Sequence, residues 1–314
     1  MLLFGDKIFI EAPFRNENEL EEVVKENYEF LFGPSSIYLP KSRIETSDGK
    51  ATIPDGFAID IEQKLWYIVE AELIEHSVWG HIIPQVTKQM AASFQAATKQ
   101  KIEELVVEQY RGVQITKEKF SDANIREIDV RKVIADILKN DPTIAIPING
   151  IKEDLKQWAN TLKHKVKFWI VNKFEEQNNP TNIIYQLPEE FKPQYETVGS
   201  EQDSEQAQKE IKQYDVSISD LISSELLTVG QELYFKYGHK SGKKINYTAT
   251  IQEDGTLLVL EKVFKSPSLA AIAVIQGTGS ERKTSNGWKD WKTENGLRLF
   301  DLRNEFLERQ ATTE

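Results

Sequence analysis

The feature that most constrains this chain is the segment PEEFKPQYETVGSEQDSEQAQKEIKQ, residues 188–213. It is polar, acidic and poor in large aliphatic side chains, so it cannot bury enough apolar surface to fold alone. A length of 314 residues is also more than one small domain needs. The expectation is two folded units, 1–187 and 214–314, joined by an acidic linker at 188–213.

In the first unit, apolar positions recur at helical spacing through Leu20, Val23, Val24, Tyr28 and Leu31, up to a stop at Gly33-Pro34. Residues 52–73 read as two strands with a break at Glu62-Gln63-Lys64. Pro84 suits the first turn of a helix running through Gln85, Met90 and Phe94. A helix over 102–110, a strand at 143–148, a helix over 152–162 and a strand at 166–171 follow. That order predicts an α/β arrangement around one mixed sheet. The second unit reads as α+β. It has a helix from Ser219, a hairpin across 233–237 and 247–251, a turn at Asp254-Gly255 and a strand at 257–260. A helix then opens after Ser266-Pro267-Ser268, and a last one covers 297–307. No internal repeat is visible.

Composition excludes several functions. With no cysteine there is no disulfide and no thiolate metal site. The four histidines, His76, His81, His164 and His239, form no HExxH pair. No apolar run is long enough to span a membrane, and the opening MLLFGDKIF meets Asp6 too early for a signal peptide. A cytoplasmic protein is the expectation. The net charge of −11 argues against nonspecific coating of nucleic acid. From Asp215 onward there are 13 Lys/Arg against 14 Asp/Glu, so nearly all of the excess lies in residues 1–214, the first unit and the linker together. The second unit is therefore the one less repelled by phosphate.

The string IPDGFAIDIEQKLWYIVEAELIEH holds the chemistry. A two-residue turn at Gln63-Lys64 would set Glu62 opposite Leu65, Phe57 opposite Glu70 and Asp55 opposite Glu72. One face then reads Asp55, Phe57, Ile59 and Ile61 with Trp66, Ile68, Glu70 and Glu72: apolar along its length and ending in three carboxylates. A slip of one residue would send Asp55 to the other face. Three carboxylates closing a buried face repel one another and lose hydration, and a divalent cation relieves both. Hard oxygen donors suit Mg²⁺ or Mn²⁺. The same acids would be ordinary at a wet strand end.

Pro54-Asp55 followed after a hairpin by Glu70-Ala71-Glu72 resembles the PD-(D/E)XK nuclease motif. The acidic helix before the hairpin (Glu19, Glu22, Glu26) and the helix near Gln85 fit that family's order of elements. The resemblance implies an α/β restriction-endonuclease-like mixed sheet with flanking helices, and hydrolysis of a phosphodiester. It also implies Asp55 and Glu70 as ligands of Mg²⁺ (or Mn²⁺), with Glu22, or in its place Glu19 or Glu26, completing the shell and Glu72 positioning the attacking water. Glu72 stands where the family has a lysine, so Lys88 or Gln85 would supply the missing polar contact. That change also leaves open a catalytically inactive protein that only binds DNA.

The second informative string is FKSPSLAAIAVIQGTGSERKTSNGWKDWKTENGLRLFDLR. The SPS helix start, the Asn286-Gly287 turn, and Trp288 and Trp291 with Lys289 and Lys292 beside them resemble a RAMA domain. The resemblance implies a small α+β C-terminal domain that reads DNA at a modified base. Lys243, Lys244, Arg282, Lys289 and Lys292 would contact phosphates, and Trp288 and Trp291, presented by Asn286, would hold the base. Tryptophans in so small a domain also belong in cores, and at least one of the two is expected there. Together the resemblances imply a modification-dependent restriction endonuclease, working as a homodimer on duplex DNA. A nuclease of DNA ends, flaps or RNA is the alternative.

Overall fold

The computed structural model describes residues 1–187, 195–196, 216–238 and 244–313, in two compact units, Met1–Ser200 and Glu201–Glu314. The expected linker lies outside the described residues except at Tyr195–Glu196, which pair as a strand. Lys243 lies outside them too.

The first unit begins with a hairpin, β1 (Leu2–Phe4) and β2 (Lys7–Ala12), then α1 (Glu17–Glu26) and α2 (Tyr28–Phe32). Strands β3 (Ser36–Pro40), β4 (Ile44–Glu45), β5 (Ala51–Thr52), β6 (Gly56–Asp60) and β7 (Leu65–Val69) follow. A π turn at Val78–Ile82 leads into α3 (Ile83–Ser93), α4 (Ala96–Gly112), α5 (Gln114–Asp122) and α6 (Val130–Ile137). Then come β8 (Thr143–Ile148), α7 (Glu153–Thr161), β9 (Val166–Ile170), β10 (Asn172–Glu176), β11 (Asn179–Gln186) and β12 (Tyr195–Glu196). The unit is mixed α/β, with several sheets and flanking helices.

Its main sheet has the order β12-β9-β8-β7-β6-β3. The β3, β6 and β7 pairs are antiparallel, while β7, β8 and β9 run parallel. Both faces are covered, which is why β8 is buried along its whole length. Phe57, Ile59, Trp66, Ile68, Ile144 and Ile146 pack with residues of α3 to α7, including Val86, Ile102, Ile134 and Trp158. Ala58, Tyr67, Val69, Ala145 and Trp169 pack with Leu20, Val23, Val24, Leu31 and Phe32 of α1 and α2.

Three expectations need correction. The β6–β7 register pairs Asp60 with Leu65 and Phe57 with Ile68, two residues away from the two-residue-turn register. Asp60 Oδ1 accepts the N–H groups of Glu62 and Gln63, both at 3.0 Å, and Lys64 takes a φ of 55°. The connection is thus a four-residue loop over 61–64. The single helix expected over 20–31 is broken at Asn27, whose side-chain amide donates to the Val23 carbonyl at 2.9 Å. Residues 172–186 turn away into a second sheet, β1-β2-β10-β11, that the pattern did not announce.

The second unit has α8 (Ile218–Ser223), strands β13 (Glu232–Tyr237), β14 (Ile245–Ile251), β15 (Leu257–Val259) and β16 (Lys262–Phe264), and helices α9 (Pro267–Gly277), α10 (Gly287–Asp290) and α11 (Leu299–Thr313). The four strands form one antiparallel meander. Leu233, Phe235, Ala249 and Ile251 pack against Ala270, Ala271, Val274 and Leu302 in a core of its own. Among the described residues no helix is long and apolar enough to cross a membrane.

Candidate active site

The main sheet brings Asp55, Glu70 and Glu72 together. Extending the β6–β7 ladder by one residue puts Asp55 level with Glu70, and Asp55 N–H points at Glu70 Oε2 (3.4 Å). A shift of two residues keeps every side chain on its face, so the carboxylates still end the face lined by Phe57, Ile59, Trp66 and Ile68. Beyond β7 the chain stays against β8: Glu70 N–H donates to Ala145 O (3.0 Å) and Glu72 N–H to Pro147 O (2.9 Å). Asp55 Oδ2 accepts the N–H of Ala71, between the two glutamates, at 2.9 Å.

Glu70 is 1% exposed. Its Oε2 accepts from Gln89 Nε2 at 2.7 Å, and its Oε1 accepts a short hydrogen bond from Gln85 Nε2. Positions four apart on α3 lie on one helical face, so both amides reach the same carboxylate. Asp55 Oδ1 pairs with Lys41 Nζ at 2.9 Å, and the same ammonium reaches Glu21 of α1 at 2.5 Å. Glu72 is 0% exposed, with Oε2 2.8 Å from His76 Nδ1.

Burial pushes all three carboxyls above the ordinary carboxylate range. At Asp55 the Lys41 contact opposes the shift; at Glu70 the Asp55 charge adds to it; at Glu72 the His76 hydrogen bond opposes it. For Lys41, burial works against the charge, but the hydrogen bonds to Glu21 and Asp55 outweigh it and keep the ammonium protonated.

Of the residues expected here, Asp55, Glu70, Glu72 and Gln85 meet. Glu22 does not join them: it sits on the outer side of α1, paired with Lys25 at 3.3 Å and half exposed. Its neighbour Glu21 faces inward and reaches the group through Lys41. Lys88 is half-buried and, among the described residues, has no bond to these carboxylates; Gln89, the next position, occupies that side of α3. Sequence reasoning missed Gln89, Lys41, Glu21, and the imidazoles of His76 and His81. The spacing Glu72, His76, His81 was the available signal, passed over because it is not HExxH.

In the second unit the SPS and NGWKDW strings turn out to be one structure. Ser266 caps α9, Ser268 Oγ accepts from Gly287 N–H (3.2 Å), and Trp291 Nε1 donates to Pro267 O (3.0 Å). Trp291 is 0% exposed, between Phe235 and the α9 start, so it stacks on no base. Arg282 is 5% exposed, so it is no surface phosphate contact. Trp288 is half-buried, with the Arg303 guanidinium 4.5 Å over its ring. Asn286 opens α10, its carbonyl accepting from Lys289 N–H and Asp290 N–H. Lys289 is half-buried, its ammonium 5.6 Å from the Phe300 ring centre. Lys244 and Lys292 are exposed, although the Lys292 backbone pairs with Tyr234.

Residues 199–312 match the family model RAMA, Restriction Enzyme Adenine Methylase Associated. This match covers a little over a third of the chain and links it to restriction–modification systems. No curated protein matches the chain.

Proposed function

We propose that the chain is a metal-dependent endodeoxyribonuclease of the PD-(D/E)XK, restriction-endonuclease-like class, and that its RAMA-matching unit directs cleavage to DNA carrying a modified base. The observation that carries this reading is the convergence of Asp55, Glu70 and Glu72 at the ends of paired strands, on a buried face, with their carboxyls pushed towards protonation.

The residues fit a divalent cation. Half-buried Asp55 and buried Glu70 offer crowded oxygen donors, and a buried oxygen of Glu72, Oε1, lacks a hydrogen-bond partner. Asp55 and Glu70 would hold the ion, Mg²⁺ by preference and Mn²⁺ in its place. When bound, it supplies charge stabilisation at the scissile phosphate and a more acidic water. Gln85 and Gln89 hold the Glu70 carboxylate in place. Glu72 takes a proton from the attacking water as the new P–O bond forms. The P–O bond to the leaving sugar oxygen then breaks, and that oxygen takes its proton from solvent. Lys41 brings beside Asp55 the ammonium group that the motif otherwise lacks.

In the second unit, Lys244 and Lys292 offer exposed charge for phosphates, and Trp288, four residues before Lys292, an aromatic face. A double-strand break needs two active sites, so the working form is a homodimer on duplex DNA.

The test is cleavage of matched plasmids, unmodified, cytosine-methylated and adenine-methylated, with Mg²⁺, Mn²⁺ or EDTA. The expected result is metal-dependent cutting confined to one modified plasmid and lost in Asp55→Asn and Glu70→Gln. Cutting by Asp55→Asn at the wild-type rate sinks the proposed site. No cutting of any plasmid under any condition leaves a DNA-binding protein, with Glu72 in the lysine position as the reason.

A further inference from the structure

One carboxylate assigned to catalysis, Glu72, also belongs to a group of different chemistry, and an ion held there would occupy the oxygens that otherwise take the water's proton. Glu17 opens α1, Glu72 extends β7, His76 precedes the π turn and His81 lies within it. One ligand atom from each of the four lies within 4.8 Å of the others. We propose that Glu17, Glu72, His76 and His81 form a site for a divalent transition-metal ion of the zinc class. This site stands on its own geometry, whether or not the chain cuts DNA.

Glu72 is the first argument. Its side chain is wholly buried and its Oε1 has no hydrogen-bond partner, with His81 Nε2 lying 3.7 Å away. A buried carboxylate oxygen without a partner costs on the order of 1–3 kcal/mol. The contact of Glu72 Oε2 with His76 Nδ1 at 2.8 Å accounts for the other oxygen only. It leaves unexplained why His81, its ring centre 4.8 Å from that of His76, turns Nε2 towards the same carboxylate. Glu17 Oε1, 3.5 Å from His76 Nδ1, closes the group from the side of α1.

The local backbone is the second argument. Ile82 N–H reaches back to Ser77 O at 3.2 Å and Ile83 N–H to Val78 O, the wider loop of a π turn. Such turns are rare and recur at functional sites. Here the wider loop returns His81 towards His76. The segment is held from outside as well: Asn149 Oδ1 accepts from Ile74 N–H (2.7 Å), and Lys152 Nζ donates to His76 O (3.2 Å).

The donor set selects the ion. Two imidazoles with two carboxylates suit zinc and its first-row neighbours, whereas Mg²⁺ prefers oxygen alone. Donors about 2.0–2.2 Å from a tetrahedral ion lie about 3.3–3.6 Å apart. His76 Nδ1, 2.8 Å from Glu72 Oε2 and 3.5 Å from Glu17 Oε1, is already near that spacing, whereas the widest pair of the group, up to 4.8 Å, must close by more than about 1 Å.

The experiment is Zn²⁺ binding to the metal-stripped full-length chain, by competition with a chromophoric chelator. It compares wild type, the double variant His76→Asn/His81→Asn, and Asp55→Asn. Wild type and Asp55→Asn are expected to take up one Zn²⁺ that the double variant binds at least tenfold more weakly. In ¹⁵N-labelled wild type, stoichiometric Zn²⁺ should move the ring-nitrogen resonances of His76 and His81, while equimolar Mg²⁺ should not. This second measurement decides the matter even if the double variant folds poorly. Equal Zn²⁺ affinity in wild type and a folded double variant, or histidine resonances that Zn²⁺ leaves in place, overturns the site. Histidine-dependent Zn²⁺ uptake without DNA cleavage in any metal would sink the nuclease reading alone.

Discussion

Asp55 Oδ2 lies 2.9 Å from the N–H of Ala71, the residue between Glu70 and Glu72. One carboxylate therefore belongs both to the candidate site and to the strand pairing that builds it. Two substitutions separate these roles. Asn keeps an oxygen for the Ala71 N–H and removes a charge from a crowded group, so Asp55→Asn should keep the wild-type melting temperature or raise it while losing cleavage. Ala leaves a part-buried N–H unpaired, at about 1–3 kcal/mol. Thermal melts of the two variants should differ in that order, and equal melts would remove the structural role given to Asp55.

The three buried carboxyls set a pH dependence. Their folded-state affinity for protons is raised, so the folded chain holds more protons than the unfolded one above the ordinary carboxylate range. Stability should therefore fall as pH rises from that range towards the raised folded-state values. In EDTA, the melting temperature should drop as pH rises through the folded-state values of about 6 at Asp55, about 7 at Glu72 and about 9 at Glu70. Glu70→Gln should flatten the drop, and Mg²⁺ should recover part of the loss at the higher pH. A drop of the same size in Glu70→Gln would show that other groups cause it.

Gln89 is buried, with its amide 2.7 Å from Glu70 Oε2. Gln89→Leu removes that donor without touching the metal or the DNA. Groups that orient ligands in this way are worth about 10–100-fold in metal affinity. The Mg²⁺ concentration for half-maximal cleavage should rise by that factor, with less change in the rate at saturating Mg²⁺. A change in the saturated rate alone would place Gln89 in the chemistry instead.

In the second unit, a Cβ on Gly287 would run into the backbone carbonyl of Pro267. Gly287→Ala should cost about 1–3 kcal/mol, the usual range for overpacking, read from the unfolding of the full-length chain. Trp291→Ala should cost more, about 3–5 kcal/mol for a large core side chain. Trp288→Ala, which removes a ring only partly packed against the core, should cost less than Trp291→Ala and weaken binding to modified duplex. Equal destabilisation by the two tryptophan changes would contradict the assignment of one to the core and the other to the surface.

Much of this was legible in the chain because periodicity carries it. Alternation in FAIDI and LWYIV defines the hairpin, and the misplaced turn did no harm to the carboxylate set because a two-residue slip preserves the face. The turn itself was missed because Asp60 caps it through its side chain, a local competition that hydrophobic pattern does not record. The same holds for the helix break at Asn27. The His76–His81 pair depends on a π turn, whose spacing no α-helical template anticipates. Arg282 was misread because charge normally means surface, whereas here the residue is buried and Gln276 Nε2 bonds to its carbonyl (2.9 Å).

The fastening of Pro267, Ser268, Gly287 and Trp291 has a consequence for how such a unit diversifies. Every partner in it lies within the unit and close to its interior, so the latch asks nothing of Lys244, Lys292 or the exposed part of Trp288. Substitutions at those surface positions can rewrite what the module touches while the closure beneath stays as it is.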